Sequence, residues 1–288
     1  MKKRFLLAAF GGMLLAGLPT SLSATVIDAK TNIFVAGQDS TGINTMGGLF
    51  PTVAQTFVAG SGQTVQFSVS GLTGCGNTGV GGCIVAGTTI GADGATLSFP
   101  TGPQTGTNIS ALGTNGISGI NFAGREMFLV GVFLDSSTPT GGGPFTPTFV
   151  STGGTYNADT DTSFQAFFTG QVFYIGDGRT GFNNAAGTVQ TWAVPTNATR
   201  LFLGFADAFD NFVGPWGAYG DNTGSLNVTV SVQNGLLFPS PTRSCWWASS
   251  SSDWSTSASG SRKVRTSTLV VDRDGSISRR STVTQKTE

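Results

Sequence analysis

Residues 63–70, QTVQFSVS, alternate without a break: Val65, Phe67 and Val69 fall on one side, Gln66, Ser68 and Ser70 on the other. An extended chain points successive side chains to opposite faces, so this pattern predicts a half-buried strand. Residues 225–232 repeat it, with Leu226, Val228, Val230 and Val232 set against Asn227, Thr229 and Ser231. Residues 126–134, EMFLVGVFL, are apolar almost throughout, and a run of strand length with that pattern predicts a central strand. Shorter apolar runs at residues 53–58, 164–168, 171–175, 188–194 and 201–205 predict further strands; Pro195 ends the fourth of them. Residues 94–123 are low in hydrophobicity and read as a long surface loop. Residues 135–156 read as irregular, punctuated by Pro139, Pro144 and Pro147. No segment repeats convincingly at helical period. Short strands joined by Gly/Pro turns predict an all-β chain folded as a β-sandwich, with long Gly-rich loops at its ends.

Both ends depart from this pattern. Residues 1–24 begin with Lys2, Lys3 and Arg4, continue apolar from Phe5 to Leu18, and finish on small residues before Ala24. That is the layout of a secretory leader, cleaved after Ala24. A membrane anchor is the alternative, but the run falls short of the ~20 residues that span a bilayer. The mature chain is therefore expected outside the cytoplasm or at the cell surface, with no stable membrane span. Past Gly235 the composition turns polar and basic, with three of the five tryptophans and the third cysteine in one short stretch. The expected domains are residues 1–24, a leader; 25–235, the sandwich; and 236–288, a disordered or frameshifted tail without core-forming pattern.

The formal charge of zero hides a division. Residues 25–235 hold four basic and eleven acidic side chains, whereas residues 236–288 hold eight basic and four acidic. An acidic body disfavours nucleic acid and suits cations. Histidine is absent, which excludes a Ser-His-Asp or Cys-His nucleophile and any His-ligated zinc. Paired-carboxylate hydrolases survive this exclusion, but the balance favours a protein that is not an enzyme.

The most specific chemistry lies between residues 201–205 and 225–232. The loop there carries Asp207, Asp210, Asp221 and Asn222, with glycines at 214, 217, 220 and 224. Carboxylates and amides on a Gly-rich loop between strands suit Ca²⁺, which takes six to eight oxygens, and glycines let backbone carbonyls turn inward to join them. The bland alternative is that these are turn formers, since Asp-Asn-Thr-Gly is turn chemistry. Trp216, beside the acidic cluster, could stack on a sugar or simply pack. Cys75 and Cys83 lie in the Gly-rich stretch 71–94; export permits a disulfide between them, with two free thiols the alternative.

Several segments, DGA, REMFLVGVFLD, FYIGDG, VPTNATRLFLGFADAF and YGDNTGSLNVTV in that order, resemble exported bacterial proteins that carry PEP-CTERM sorting signals. Residues 63–232 are also similar to the calcium-dependent galactophilic lectins, which fold as jelly-roll-like β-sandwiches and carry a Tyr-Gly-Asn-Asn-Ser-Gly-Ser motif. The resemblance implies Asp207 as a carboxylate ligand, Asp221 and Asn222 as side-chain ligands, and the carbonyls of Ala218 and Cys75 completing the protein's share. Asp210 would substitute for or assist Asp207, because the intervening loop is longer here. Tyr219 stands at the motif's tyrosine and, with Trp216, is the ligand-facing aromatic candidate. The implied partner is a polysaccharide or galactose-like sugar, although the lectins' sugar-holding histidine has no counterpart. The tail departs further: Pro239-Ser-Pro241 stands where Pro-Glu-Pro belongs, followed by the polar CWWASSSSDW instead of an apolar span. A shifted reading frame would explain this, since one base over can turn codons for that stretch into Leu-Val-Gly-Val. The check is the gene's nucleotide sequence, where an alternative frame after Gly235 is expected to encode an apolar segment.

Other residues carry weaker patterns. Arg125 and Glu126 read as a turn-end ion pair of small energetic value. Asp159 and Asp161 start like a calcium loop but lack the EF-hand glycine and terminal glutamate, so they read as solvated loop. Asp177 reads as a turn former and Trp192 as core. The reading that unites these features is an exported, non-enzymatic Ca²⁺-binding sandwich of the cell surface or exopolysaccharide matrix, with lectin-like carbohydrate binding as the expected activity. The alternatives are a structural matrix protein without sugar affinity and, less favoured, a carboxylate-pair glycosidase.

Overall fold

A computed structural model of the chain describes residues 19–40, 43, 45, 47–60, 62–75, 89–96, 107–109, 115–151, 153–154, 156–165, 167–207, 219–234, 262–271 and 277–286. The fold is all-β, with sheets packed in a sandwich. One sheet orders its strands Pro19–Asp28, Asn222–Gln233, Thr64–Cys75, Thr191–Ala193 and Ser163–Phe164, with Thr89–Ile90 also paired to Thr64–Cys75. The facing sheet runs Val172–Tyr174, Phe128–Leu134, Arg200–Ala206, Val53–Thr56, antiparallel throughout.

The two alternating segments predicted from sequence lie side by side. Asn222–Gln233 pairs antiparallel with Thr64–Cys75 over its full length, setting Val228 opposite Val69 and Val230 opposite Phe67. Leu226, Val228, Val230 and Val232 are buried and Asn227 is exposed, as the alternation requires. The apolar run Phe128–Leu134 is buried at every position and lies inside its sheet between Val172–Tyr174 and Arg200–Ala206. Trp192 joins the layers: its ring meets Phe67 edge-on at 5.0 Å, and its indole N–H donates to the Tyr174 carbonyl at 3.1 Å. Beside it Phe173 stacks on Phe133 at 4.9 Å.

Three sequence expectations are corrected. Residues 94–123 are not a surface loop throughout. Thr107–Ile109 and Ile120–Phe122 are strands of a further four-stranded sheet, and Ile109, Ile117, Ile120 and Phe122 are fully buried. The irregular stretch 135–156 contributes Thr148–Val150 to the same sheet, where Phe149 packs against Phe122, Tyr156, Phe164, Phe167 and Tyr174. Residues 126–134 are not one strand. Met127 takes a left-handed backbone, φ 49°, and divides Arg125–Glu126, paired with Ala95–Thr96, from Phe128–Leu134. A left-handed conformation is uncommon outside glycine, so surrounding structure must hold it.

The chain divides into two compact units, Met1–Phe238 and Pro239–Glu288. In the second, Arg262–Val271 pairs antiparallel with Ile277–Lys286. The strand Pro19–Asp28 begins within the stretch read as a leader. Its part before Thr25 adds little to the core: Leu22 is 71% exposed, and Ser23 Oγ donates to the Ala54 carbonyl. Among the described residues, no helix is long and apolar enough to cross a membrane.

Candidate functional site

Asp207 follows the strand Arg200–Ala206, and Asn222 opens Asn222–Gln233. Each sits where a rigid ladder ends, so backbone pairing fixes their approach. Asn222 Nδ2 donates to Asp207 Oδ2 at 2.8 Å and to the Ala29 carbonyl at 3.1 Å. Asn222 is fully buried and Asp207 is 7% exposed. Cys75 is the ladder partner of Asn222, so three of the positions implied by the resemblance meet at one end of the sandwich. Asp221 ends the short helix Tyr219–Asp221 and is half-buried. Its charge is among the influences on Asp207. Ala218, Asp210, Trp216 and Cys83 lie outside the described residues, and so does the side chain of Cys75.

Tyr219 takes another place than the one expected of it. Its ring is fully buried and its hydroxyl donates to the Phe205 carbonyl at 2.8 Å, which makes it a wall under the site, with no face free for a ligand. Burial and the nearby Asp207 carboxylate push its phenol well above the ordinary range.

A residue that sequence reasoning missed completes the arrangement. Glu126 is 3% exposed, and its Oε1 has no hydrogen-bond partner. The register sets Ala206, one residue before Asp207, opposite Phe128, two after Glu126, and the Asp207 charge acts on Glu126. Burial, with Asp207 adding like charge, raises the Glu126 carboxyl to about 8. Burial likewise raises Asp207 to about 7, against the stabilising hydrogen bond from Asn222. The expected Arg125–Glu126 ion pair is absent: Arg125 turns away to Asp159, at 2.6 Å. The available signal was a lone carboxylate heading an otherwise apolar run.

The site therefore holds two acids that resist ionisation and two orphaned acceptors, Asn222 Oδ1 and Glu126 Oε1. Buried acceptors without partners are costly and call for an explanation. Their chemistry fits a hard cation: all are oxygens, and a positive charge would relieve both the burial cost and the mutual repulsion. Among the described residues, no three His, Cys, Asp or Glu side chains are placed to hold a metal ion. The fit therefore depends on the amide and on backbone carbonyls as well as on Asp207 and Glu126.

A second polar cluster is satisfied except for one buried donor, Arg125 Nε. Arg125, 2% exposed, donates to the Tyr174 hydroxyl at 2.9 Å and stands 4.7 Å over the Phe122 ring and 4.6 Å over the Phe182 ring. The Tyr174 hydroxyl in turn donates to Asp93 Oδ1 at 2.7 Å. Asp93 also accepts the backbone N–H groups of Asp177 at 2.8 Å and Asn183 at 2.6 Å. Asp159 and Asp161, expected in solvent, instead tie their loop down: one binds Arg125, the other accepts from the Asn157 amide at 2.7 Å. Asp177 is the turn former expected, its Oδ1 accepting from the Arg179 amide at 2.8 Å, and burial beside Asp93 raises its carboxyl to about 6. With donors and acceptors matched around Asp93, this cluster is a structural keystone.

Comparison of the chain with protein-family models, with curated proteins and with solved structures finds no match in any of the three.

Proposed function

We propose that this protein is an exported, non-enzymatic β-sandwich that binds Ca²⁺ at the Asp207–Asn222 pair and works at the cell surface or in an exopolysaccharide matrix, with carbohydrate binding as its activity. The observation that carries the calcium reading is the pair of buried, unpartnered oxygens, Asn222 Oδ1 and Glu126 Oε1, beside the buried Asp207 carboxylate. Asp207, Asn222, Glu126 and backbone carbonyls such as that of Cys75 would hold the ion, which would supply the positive charge that lets these acids ionise. Export rests on the pattern of residues 1–24.

The second reading, a matrix protein whose calcium only fixes loops, is favoured by the burial of Tyr219, which withdraws one ligand-facing candidate. A carboxylate-pair hydrolase has less support. Raised carboxyl values suit a general acid, but Asp207 and Glu126 are 7% and 3% exposed, and a proton donor must touch the glycosidic oxygen.

Isothermal titration of the full chain with CaCl₂ tests the site. One binding event with Kd on the order of 0.1–1 mM, the range of extracellular calcium modules, is expected, and its loss in Asp207→Ala. No heat of binding in the unmodified chain would sink the calcium reading. A glycan array probed in calcium would then separate a sugar binder from a purely structural protein.

A further inference from the structure

The opposite end of the strand Arg200–Ala206, about 20 Å from Asp207 at strand rise, carries a feature that the calcium reading leaves unused. A cleft of about 420 Å³ opens there, within the size range of small-molecule sites. Its walls are mostly polar: Asp135, Ser137, Thr138, Thr140, Thr169 and several glycines line it, with Leu134, Pro139 and Pro144 as the apolar part. The cleft is built, with its backbone pinned from several sides. Arg200 donates to the carbonyls of Asp135, at 2.7 Å, and Ser137. Gln38 donates to the Pro139 carbonyl at 2.8 Å, and Gly116 and Ser118 donate to the Gly141 and Gly170 carbonyls, each at 2.8 Å.

Two exposed aromatic rings stand next to it in sequence. Phe145 follows the lining residue Pro144, and Phe168 precedes the lining residue Thr169. They are 58% and 55% exposed and meet edge to face at 5.8 Å. A single buried side chain positions both. Gln171, fully buried, donates from Nε2 to the Phe145 carbonyl at 3.1 Å and accepts at Oε1 from the Phe168 amide at 3.1 Å. Exposed phenylalanines lose apolar burial, so a pair held in place outside the core calls for a partner.

We propose that this cleft binds a neutral saccharide chain, with sugar hydroxyls meeting its hydroxyl and backbone groups and an apolar C–H face of a sugar ring lying on Phe145 or Phe168. Pyranose rings combine a hydroxyl rim with apolar faces, so they need this combination of polar wall and aromatic ring. Asp135 argues against acidic sugars. Hydrogen bonds from the Ser137 hydroxyl and amide, with help from Arg200, hold its carboxyl below the usual range, so it stays charged and repels carboxylates. The inference needs no calcium, because the cleft and Asp207 lie at opposite ends of one strand.

Affinity electrophoresis of the full chain, with EDTA throughout, tests this in gels cast with dextran, galactan, mixed-linkage β-glucan or alginate. Retardation is expected in at least one neutral gel and not in alginate. Phe145→Ala/Phe168→Ala should raise the apparent Kd about tenfold or more. Gly142→Leu should do the same from the cleft side: a Cβ there meets nothing within 4 Å and no positive φ is strained, so the backbone accepts a side chain, and an unchanged thermal midpoint is expected alongside the lost binding. Retardation in alginate alone, none in any neutral gel, or equal retardation of wild type and both variants would each overturn the proposal. If neutral gels have no effect and the double phenylalanine variant instead changes the oligomeric state, the rings belong to a protein contact and the saccharide site is refuted.

Discussion

Asp93→Ala is expected to be the most damaging single change in the chain, costing roughly 3–5 kcal/mol of stability. The side chain is 1% exposed and accepts from the Tyr174 hydroxyl and from two backbone amides, Asp177 and Asn183. Alanine leaves the fully buried Tyr174 hydroxyl without its acceptor and releases two part-buried backbone amides, those of Asp177 and Asn183. At about 2–4 °C per kcal/mol for a body of this size, the thermal midpoint should fall by roughly 10 °C or more. Arg125→Met should also destabilise, by stranding Asp159 and the Tyr174 hydroxyl, but the double variant should cost less than the sum of the two. Both changes act on the Tyr174 hydroxyl, which accepts from Arg125 and donates to Asp93, so their losses overlap, while Arg125 keeps Asp159 at 2.6 Å in Asp93→Ala. Urea unfolding of the four chains measures the coupling. Additive losses, or a loss below about 1 kcal/mol for Asp93→Ala, would show that the cluster is not the keystone its hydrogen bonds describe.

The sequence disclosed the sandwich where one face of a strand packs and the other meets water. Val65 and Phe67, or Leu226 through Val232, alternate because the core selects every second side chain. It concealed the third sheet for the converse reason. Ile109, Ile117, Ile120 and Phe122 reach the core singly, set among Gly, Thr, Asn and Ser, so no window shows a period. The same limit applies to chemistry. Asp207 and Asn222 were legible because a Gly-rich loop between two strands concentrates them, and the ladder ends then bring them together. The role of Asp93 was not, because its three partners lie 81, 84 and 90 residues away. Glu126 was hidden by a local assumption: an adjacent arginine and glutamate read as a pair. The left-handed Met127 and the pull of Asp159 on Arg125 instead separate their fates. Partner choice in a buried network is decided by tertiary structure, and adjacent residues in one strand point to opposite faces.

Calcium stabilisation of the full chain is expected to grow with pH, and the sign follows from Asp207. Its carboxyl is raised from 3.8 to about 7, so the folded chain keeps a proton that the unfolded chain releases across that window. Without a cation, the stability associated with this group is fully present below pH 3.8 and is lost as pH rises through about 7. Above that, burying the charge costs about 4 kcal/mol, and Glu126, raised from 4.5 to about 8, adds to the cost in the same direction. A bound calcium ion offsets this cost only for the ionised acids. In about 10 mM CaCl₂, a site with Kd on the order of 0.1 mM contributes ~2.7 kcal/mol, or a midpoint rise of roughly 5–10 °C near pH 8.5, shrinking towards pH 5. Asp207→Asn keeps the shape and removes the charge. In EDTA near pH 8.5 it should therefore melt above wild type, and calcium should no longer move it. Scanning calorimetry of both chains, with EDTA and with calcium at the two pH values, separates the possibilities. If the asparagine variant is the more stable in EDTA but calcium shifts neither chain, Asp207 is a strained buried acid and the cation site is lost. If calcium shifts wild type alone and does so more strongly at high pH, the strain in the apo site is what the cation relieves.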